Sequence, residues 1–249
     1  MTTKKTGRLI VLAGPSCAGK TPLKKVLGKF YPDLRNTLQA LVLFNSREPR
    51  PGEADGVDYH FRTGEQVRAL ESQDRYVVMD VRGDIVALDL EELSTMLESG
   101  DVLFEGNPFV GEVLLTHTSL ARFRKLSVYL APLSREEIIY LRDNGAVLHE
   151  LITDIMRRRL LRRTRRQKGE LSLKDLENIE NRASSAWGEL KKACLYEHVI
   201  PNHDGEDSEN WDAFYYPLGD ARRALLSFVA LLREEQPVQV EKWERELIV

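Results

Sequence analysis

Apolar residues come along this chain in short runs separated by stretches with helical spacing. Residues 8–13 (Arg-Leu-Ile-Val-Leu-Ala) form a run of buried-strand type, and the pattern returns at residues 102–105, 126–130 and 198–201. Between these runs, residues 23–27 open a helix, residues 64–72 read as a short one, residues 90–98 as one closed by Gly100, and residues 220–233 as an amphipathic one. Residues 76–79 and 84–88 are strands around a turn at Arg82-Gly83. Pro32, Pro49, Pro51, Gly52 and Gly56 break the periodicity of residues 31–61, which predicts loops and short strands there. Residues 135–195 are almost wholly helical by pattern, and residues 204–210 read as an acidic, polar surface loop. The tail, residues 236–249, carries Trp243, Leu247, Ile248 and Val249; it docks on the body or on a partner, and the pattern does not choose. Strands interleaved with helices at this spacing predict an α/β fold with a mostly parallel sheet.

The first strand leads into Gly14-Pro15-Ser16-Cys17-Ala18-Gly19-Lys20-Thr21, two glycines five apart followed by lysine and a hydroxyl. A strand, a tight turn and a helix N-terminus aim several backbone N–H groups at one point, where the helix dipole also favours an anion. Lys20 is expected to reach the β- and γ-phosphates of a nucleoside triphosphate, and the Thr21 hydroxyl to ligate Mg²⁺. ATP with Mg²⁺ is therefore the expected cofactor.

Composition narrows the picture modestly. With 36 Lys and Arg against 39 Asp and Glu, the net charge of −3 gives no global pull toward nucleic acid or an anionic membrane. No stretch approaches the roughly 18 apolar residues of a membrane span. Met1-Thr2-Thr3-Lys4-Lys5 is expected to lead directly into the first strand without a secretory segment, and the only cysteines are Cys17 and Cys194. These features set the expectation of a reducing cytoplasm. One local exception stands out: residues 157–166 hold seven arginines in ten positions, a helix that serves phosphoryl transfer, faces solvent or grips nucleic acid.

A second motif, residues 46–61 (Ser-Arg-Glu-Pro-Arg-Pro-Gly-Glu-Ala-Asp-Gly-Val-Asp-Tyr-His-Phe), places Arg47 and Arg50 three apart. They are suited to hold a phosphate by paired charge-assisted hydrogen bonds, with Tyr59 adding a phenolic donor. Pro49 and Pro51 stiffen the loop before binding. This segment closely resembles the acceptor-binding signature of guanylate kinases, and Gly14-Pro15-Ser16 through Gly19-Lys20 resembles that family's phosphate loop. The resemblance covers residues 7–233 and implies a P-loop NTPase core (residues 7–42, 99–140 and 183–233), a small β-rich acceptor-binding subdomain (about 43–98) and a helical lid (about 141–182), followed by a tail at 234–249. It implies that Arg47, Arg50 and Tyr59 bind the acceptor phosphate, that Glu53 orders this site, and that Glu105 and Asn107 lie near the acceptor. Among the lid arginines, Arg165 and Arg166 are the expected catalytic pair, with Arg162 and Arg163 behind them, and Arg182 reaches the same phosphates. Asn202 matches an asparagine beside the donor adenine.

The chain also departs from the family pattern. Leu43 stands where guanine recognition uses a serine, and Val77, Val86 and Leu88 stand where it uses a glutamate, a tyrosine and a serine. Lost hydrogen-bonding partners of this kind cost about 10⁴ in discrimination. Pro22 removes one backbone donor from the phosphate loop, and Cys17 replaces a usual glycine. Three functions follow: a guanylate-kinase-like nucleoside monophosphate kinase, a P-loop kinase for another phosphorylated small molecule, or a nucleotide-binding regulatory module. Oligomeric state is open, a homodimer being one option.

Overall fold

A computed structural model describes residues 6–50 and 52–248; Met1–Lys5, Pro51 and Val249, with the expectations attached to them, lie outside the described residues. The chain runs β1 (Leu9–Ala13), α1 (Lys20–Phe30), α2 (Pro32–Asn36), β2 (Gln39–Ala40), β3 (Leu43–Asn45), β4 (Tyr59–Phe61), α3 (Gly64–Ala69), β5 (Tyr76–Val81), β6 (Asp84–Asp89), α4 (Leu90–Ser99) and β7 (Val102–Gly106). It continues through α5 (Pro108–Thr116), β8 (Lys125–Ala131), α6 (Arg135–Asp143), α7 (Leu148–Lys168), α8 (Leu173–Ser184), α9 (Ala186–Leu190), β9 (His198–Pro201) and α10 (Gly219–Leu232).

The main sheet has the order β2-β7-β1-β8-β9, and every pairing in it is parallel. A parallel sheet must be covered on both faces, and β1 shows how the sequence does this. Leu9, Val11 and Ala13 enter one apolar layer with α5, α6 and α7, while Ile10 and Leu12 enter a second with α1 and α10. All five β1 residues are buried. The carboxyl ends of β1, β7 and β9 therefore open at one edge, the place where open α/β sheets hold ligands.

The second sheet, β4-β3-β6-β5, is mixed, with β3 and β4 parallel and the β5–β6 hairpin antiparallel. Alternation divides its faces. Phe44, Val78, Ile85 and Ala87 pack with Val67 of α3, while Leu43, Val77, Met79, Val86 and Leu88 turn toward the main core. Helix α5 extends beyond the elements expected from the pattern; Asn107 caps it by accepting from the Phe109 N–H at 2.8 Å, and Pro108 occupies its first turn. No helix among the described residues is long and apolar enough to cross a membrane.

Two segments differ from expectation or resolve an open choice. Residues 204–210 are not a free surface loop. The Asp204 carboxylate accepts from Ser208 Oγ, Asn210 Nδ2 and the Ala221 N–H at 2.8–3.0 Å, folding the segment back on the body. Gly205 is buried against the phosphate loop, where a Cβ would stand 2.5 Å from the Cys17 carbonyl oxygen. The tail docks on the body: Glu241 and Val199 exchange backbone hydrogen bonds at 2.7 and 2.8 Å, and Trp243, Leu247 and Ile248 are buried. Trp243→Ala is expected to lower unfolding stability by about 3–5 kcal/mol, measurable by urea denaturation. A loss under about 1 kcal/mol would show that the tail is not packed in solution.

Candidate active site

The phosphate loop joins β1 to α1, and its shape depends on a few close contacts. Gly19 caps α1 at φ 102°, and a Cβ there would meet Asn202 Nδ2 at 2.5 Å. Asn202 lies under the loop: its Nδ2 donates to the carbonyl oxygens of Ala18 (2.8 Å) and Asp204 (2.7 Å). Both amide hydrogens of Asn202, expected beside a nucleotide base, are committed to backbone here, and the residue is fully buried. Lys20 is buried, with Nζ donating to the carbonyl oxygens of Gly14 (2.8 Å) and Pro15 (2.7 Å). Burial lowers its pKa, opposed by Glu206, Glu105 and Glu189. Ser16 Oγ accepts from Arg182 Nε at 3.0 Å. Pro22 is the third residue of α1, where a proline ring fits and the missing N–H falls among the helix's free donors.

Cys17 adopts φ 66°, the left-handed region, where a non-glycine residue is strained. Burial first and Glu206 second push its thiol up to about 12.

The second motif wraps the end of β3. Glu53 pairs both of its oxygens with Arg47, at 2.6 and 2.7 Å, and accepts from the Arg50 N–H at 2.8 Å. The Arg47 guanidinium also stacks over Tyr59, 4.9 Å from the ring centre. Glu53 thus orders both arginine positions. The Arg50 side chain forms no ion pair among the described residues. Burial, then the charges of Arg47 and Arg163, lower its pKa.

Helix α7 divides the expected arginines between its outer and inner sides. Arg165 and Arg166 are exposed, and Arg166 stands 3.8 Å from Asp212. The inner face of α7 carries Ile152, Met156, Arg159, Leu160 and Thr164, so helical periodicity rotates Arg165 and Arg166 outward. Arg159 and Arg163, four apart on the inner side, face the phosphate loop. Arg159 Nη2 donates to the His203 carbonyl oxygen at 3.0 Å, and Arg163 Nη1 to Glu206 at 2.6 Å. Arg159 Nη1 and Arg163 Nε are buried without a partner among the described residues. The i,i+4 spacing beside Met156 and Leu160 was the sequence signal for them. Five of the seven arginines in residues 157–166 meet a carboxylate: Arg157 with Glu180, Arg158 with Asp154, Arg162 with Asp207, Arg163 with Glu206 and Arg166 with Asp212.

Arg182 ties these parts together. Burial, Arg163, Arg50 and Arg82, in that order, drive its pKa well below the ordinary value, so donor loop, acceptor clamp and lid are electrostatic neighbours. Glu105 and Asn107, expected near the acceptor, have these partners. Glu105 accepts from Thr21 Oγ1 at 2.9 Å and pairs with Lys24 at 2.7 Å. Asn107 caps α5 and donates to Glu189 at 3.0 Å. Glu206, Glu189 and Arg82 escaped the sequence reading because their partners are distant in the chain.

Against this geometry, the family described as Guanylate kinase matches residues 6–103. A guanylate kinase of Nitratidesulfovibrio vulgaris is 32% identical over 210 residues, spanning 81% of this chain and 92% of that protein. The chain belongs to the guanylate kinase family. A guanylate kinase of Ruegeria sp. (strain TM1040) is 28% identical over 240 residues, 96% of this chain and 91% of that protein. A solved guanylate kinase structure from Anaplasma phagocytophilum aligns with TM-score 0.48 and 18% identity, over 81% of this chain and 79% of that one. Within the family frame, Leu43, Val86 and Leu88 are buried aliphatic side chains in this protein. The state of Cys17 gives a direct check. In folded Cys194→Ser protein at pH 8, the remaining thiol is expected to resist alkylation for hours; rapid labelling would contradict the buried, protonated thiol.

Proposed function

We propose that the protein transfers the terminal phosphoryl group of ATP to the phosphate of a nucleoside monophosphate, with GMP as the acceptor that the family name points to. The observation that carries this reading is Arg182, bonded to Ser16 of the donor loop and close enough to Arg50 of the acceptor clamp to be displaced in pKa by it. One cation shared between two phosphate sites is what an in-line transfer needs, because charge spreads over the equatorial oxygens of the moving group. An acceptor phosphate oxygen forms the new P–O bond as the bond to the β,γ-bridging oxygen breaks, giving ADP and a nucleoside diphosphate.

In this reading Lys20 binds the donor phosphates, Arg50 and Tyr59 bind the acceptor phosphate, and Arg47 with Glu53 holds the loop that presents them. Arg163 and Arg182 stabilise the moving group, Arg159 supports the lid, and α7 excludes water. The Thr21 hydroxyl and Glu105 carboxylate, 2.9 Å apart at the loop's edge, offer the hard oxygens that suit Mg²⁺. Bound there with ATP, the ion would neutralise charge on the β- and γ-phosphates. The division into core, acceptor insert and lid given by the sequence fits these roles.

A second reading, a kinase for a different phosphorylated small molecule, draws on the aliphatic wall of Leu43, Val86 and Leu88. A coupled ADP-release assay with ATP, Mg²⁺ and a panel of nucleoside monophosphates decides between them. Turnover with at least one nucleotide is expected; ATP binding without turnover on any would overturn the proposal. Turnover with GMP far above the other monophosphates would exclude the second reading. Arg182→Ala and Arg163→Ala are expected to lower kcat by about 10³-fold or more, while Arg165→Ala leaves it within about threefold. Equal effects at Arg163 and Arg165 would contradict the assignment of the inner face of α7.

A further inference from the structure

We infer that Arg82 is a positioning residue for phosphoryl transfer, latching the hairpin of the acceptor insert to a buried carboxylate, Glu189, beside the phosphate site. The inference rests on the transferase reading above and adds a residue that neither motif contains.

Arg82 sits at the tip of the β5–β6 hairpin with φ 60°, followed by Gly83 with φ 86°. A two-residue turn with both φ values positive favours Asn, Asp or Gly at its first position. An arginine held there is strained, and strain of this kind persists where the surrounding structure over-determines it. Here the side chain is what holds it. Arg82 Nε donates to Glu189 Oε1 at 2.6 Å and to Ser185 Oγ at 2.9 Å, and Nη2 donates to the same carboxylate oxygen. Asn181 Nδ2 donates to the Arg82 carbonyl oxygen at 3.0 Å.

Glu189 has no exposed surface. Its Oε1 also accepts from Ser185 Oγ and, at 3.0 Å, from Asn107 Nδ2, while Oε2 is buried without a partner among the described residues. The Glu189 backbone oxygen accepts from the buried Tyr129 hydroxyl at 2.8 Å, so the carboxylate is fixed to the main sheet. A buried carboxylate needs a full complement of donors, and Arg82 reaches it across 107 residues of chain.

The latch stands in the right place to matter. Lys20 and Arg182 both feel the Arg82 charge, and Asp84, two residues further on, faces Arg47, Arg50 and Arg82. The hairpin end therefore lies between the acceptor arginines and the phosphate loop. An in-line transfer tolerates little drift between the two phosphates, and a misplacement near 1 Å costs about 10²-fold. Arg82 ties the sheet that carries Arg47 and Arg50 to the helix that follows Arg182, and so sets that spacing.

Removing Arg82 alone would leave Glu189 buried and unpaired. The decisive variant is therefore Arg82→Asn combined with Glu189→Gln, which keeps a residue suited to the turn and removes both charges. We expect this protein to unfold within a few degrees of wild type and to bind ATP with unchanged Kd, but to show kcat lowered roughly ten- to hundredfold. Wild-type kcat in a folded double variant overturns the inference. Should that variant not fold, Arg82→Lys keeps the charge and loses the fork. It is then expected to lower kcat several-fold at unchanged ATP Kd, and wild-type kcat in it overturns the inference equally. If the wild-type protein turns over no monophosphate in the same assay, the transferase reading fails first and takes the latch with it.

Discussion

The charges of Arg163, Arg50 and Arg82 all bear on the buried Arg182, which bonds the loop that carries Lys20, and much of the architecture serves to keep those like charges together. Three carboxylates lie among these cations. Glu206 pairs with Arg163, Glu189 with Arg82, and Glu105 with Lys24 beside Thr21. Each comes from a different element: the loop after β9, the short helix α9 and the end of β7. The parallel sheet brings those elements to one edge because its strands end there together. Two guanidinium nitrogens, on Arg159 and Arg163, lack partners among the described residues, a cost that a phosphate bound as proposed would offset.

What could be read from the chain alone divides along the range of the interactions involved. The phosphate loop was legible because strand, turn and helix start are adjacent and each residue type has a local job. Arg47 and Arg50 were legible for the same reason: Glu53, their organiser, lies within six residues. Residues 148–168 are helical, as the pattern suggests, but which arginines turn inward could not be read from it. A run of seven arginines hides the periodicity that Met156, Leu160 and Thr164 reveal. The acidic segment around Glu206 looked solvent-exposed because its partners, Arg162 and Arg163, come more than forty residues earlier. Nothing local marks Arg82, whose carboxylate partner is supplied by another part of the fold.

The departures from the family pattern fall on the acceptor base and spare the phosphates. Leu43, Val86 and Leu88 are committed to the face of the small sheet that turns toward the main core, while Arg47, Arg50, Tyr59, Lys20 and Arg182 keep a phosphate-directed arrangement. Pro22 fits the first turn of α1, and the strained Cys17 backbone is held by a contact from the Glu206 N–H to its carbonyl oxygen at 3.3 Å. Under the proposed function, phosphoryl chemistry and base recognition fall to separable sets of side chains.

In the proposed transfer, Lys20, Arg50, Arg163 and Arg182 hold a donor and an acceptor phosphate at the same time. Thermal unfolding with a bisubstrate nucleotide, two nucleosides joined through a pentaphosphate, tests it most directly. At a concentration about 1,000 times its Kd such a ligand would stabilise the native state by about 4 kcal/mol. The expected result is a rise in Tm well above that given by ATP alone at the same concentration, abolished in Arg182→Ala. A Tm no higher than with ATP alone, or a full rise in Arg182→Ala, would contradict it.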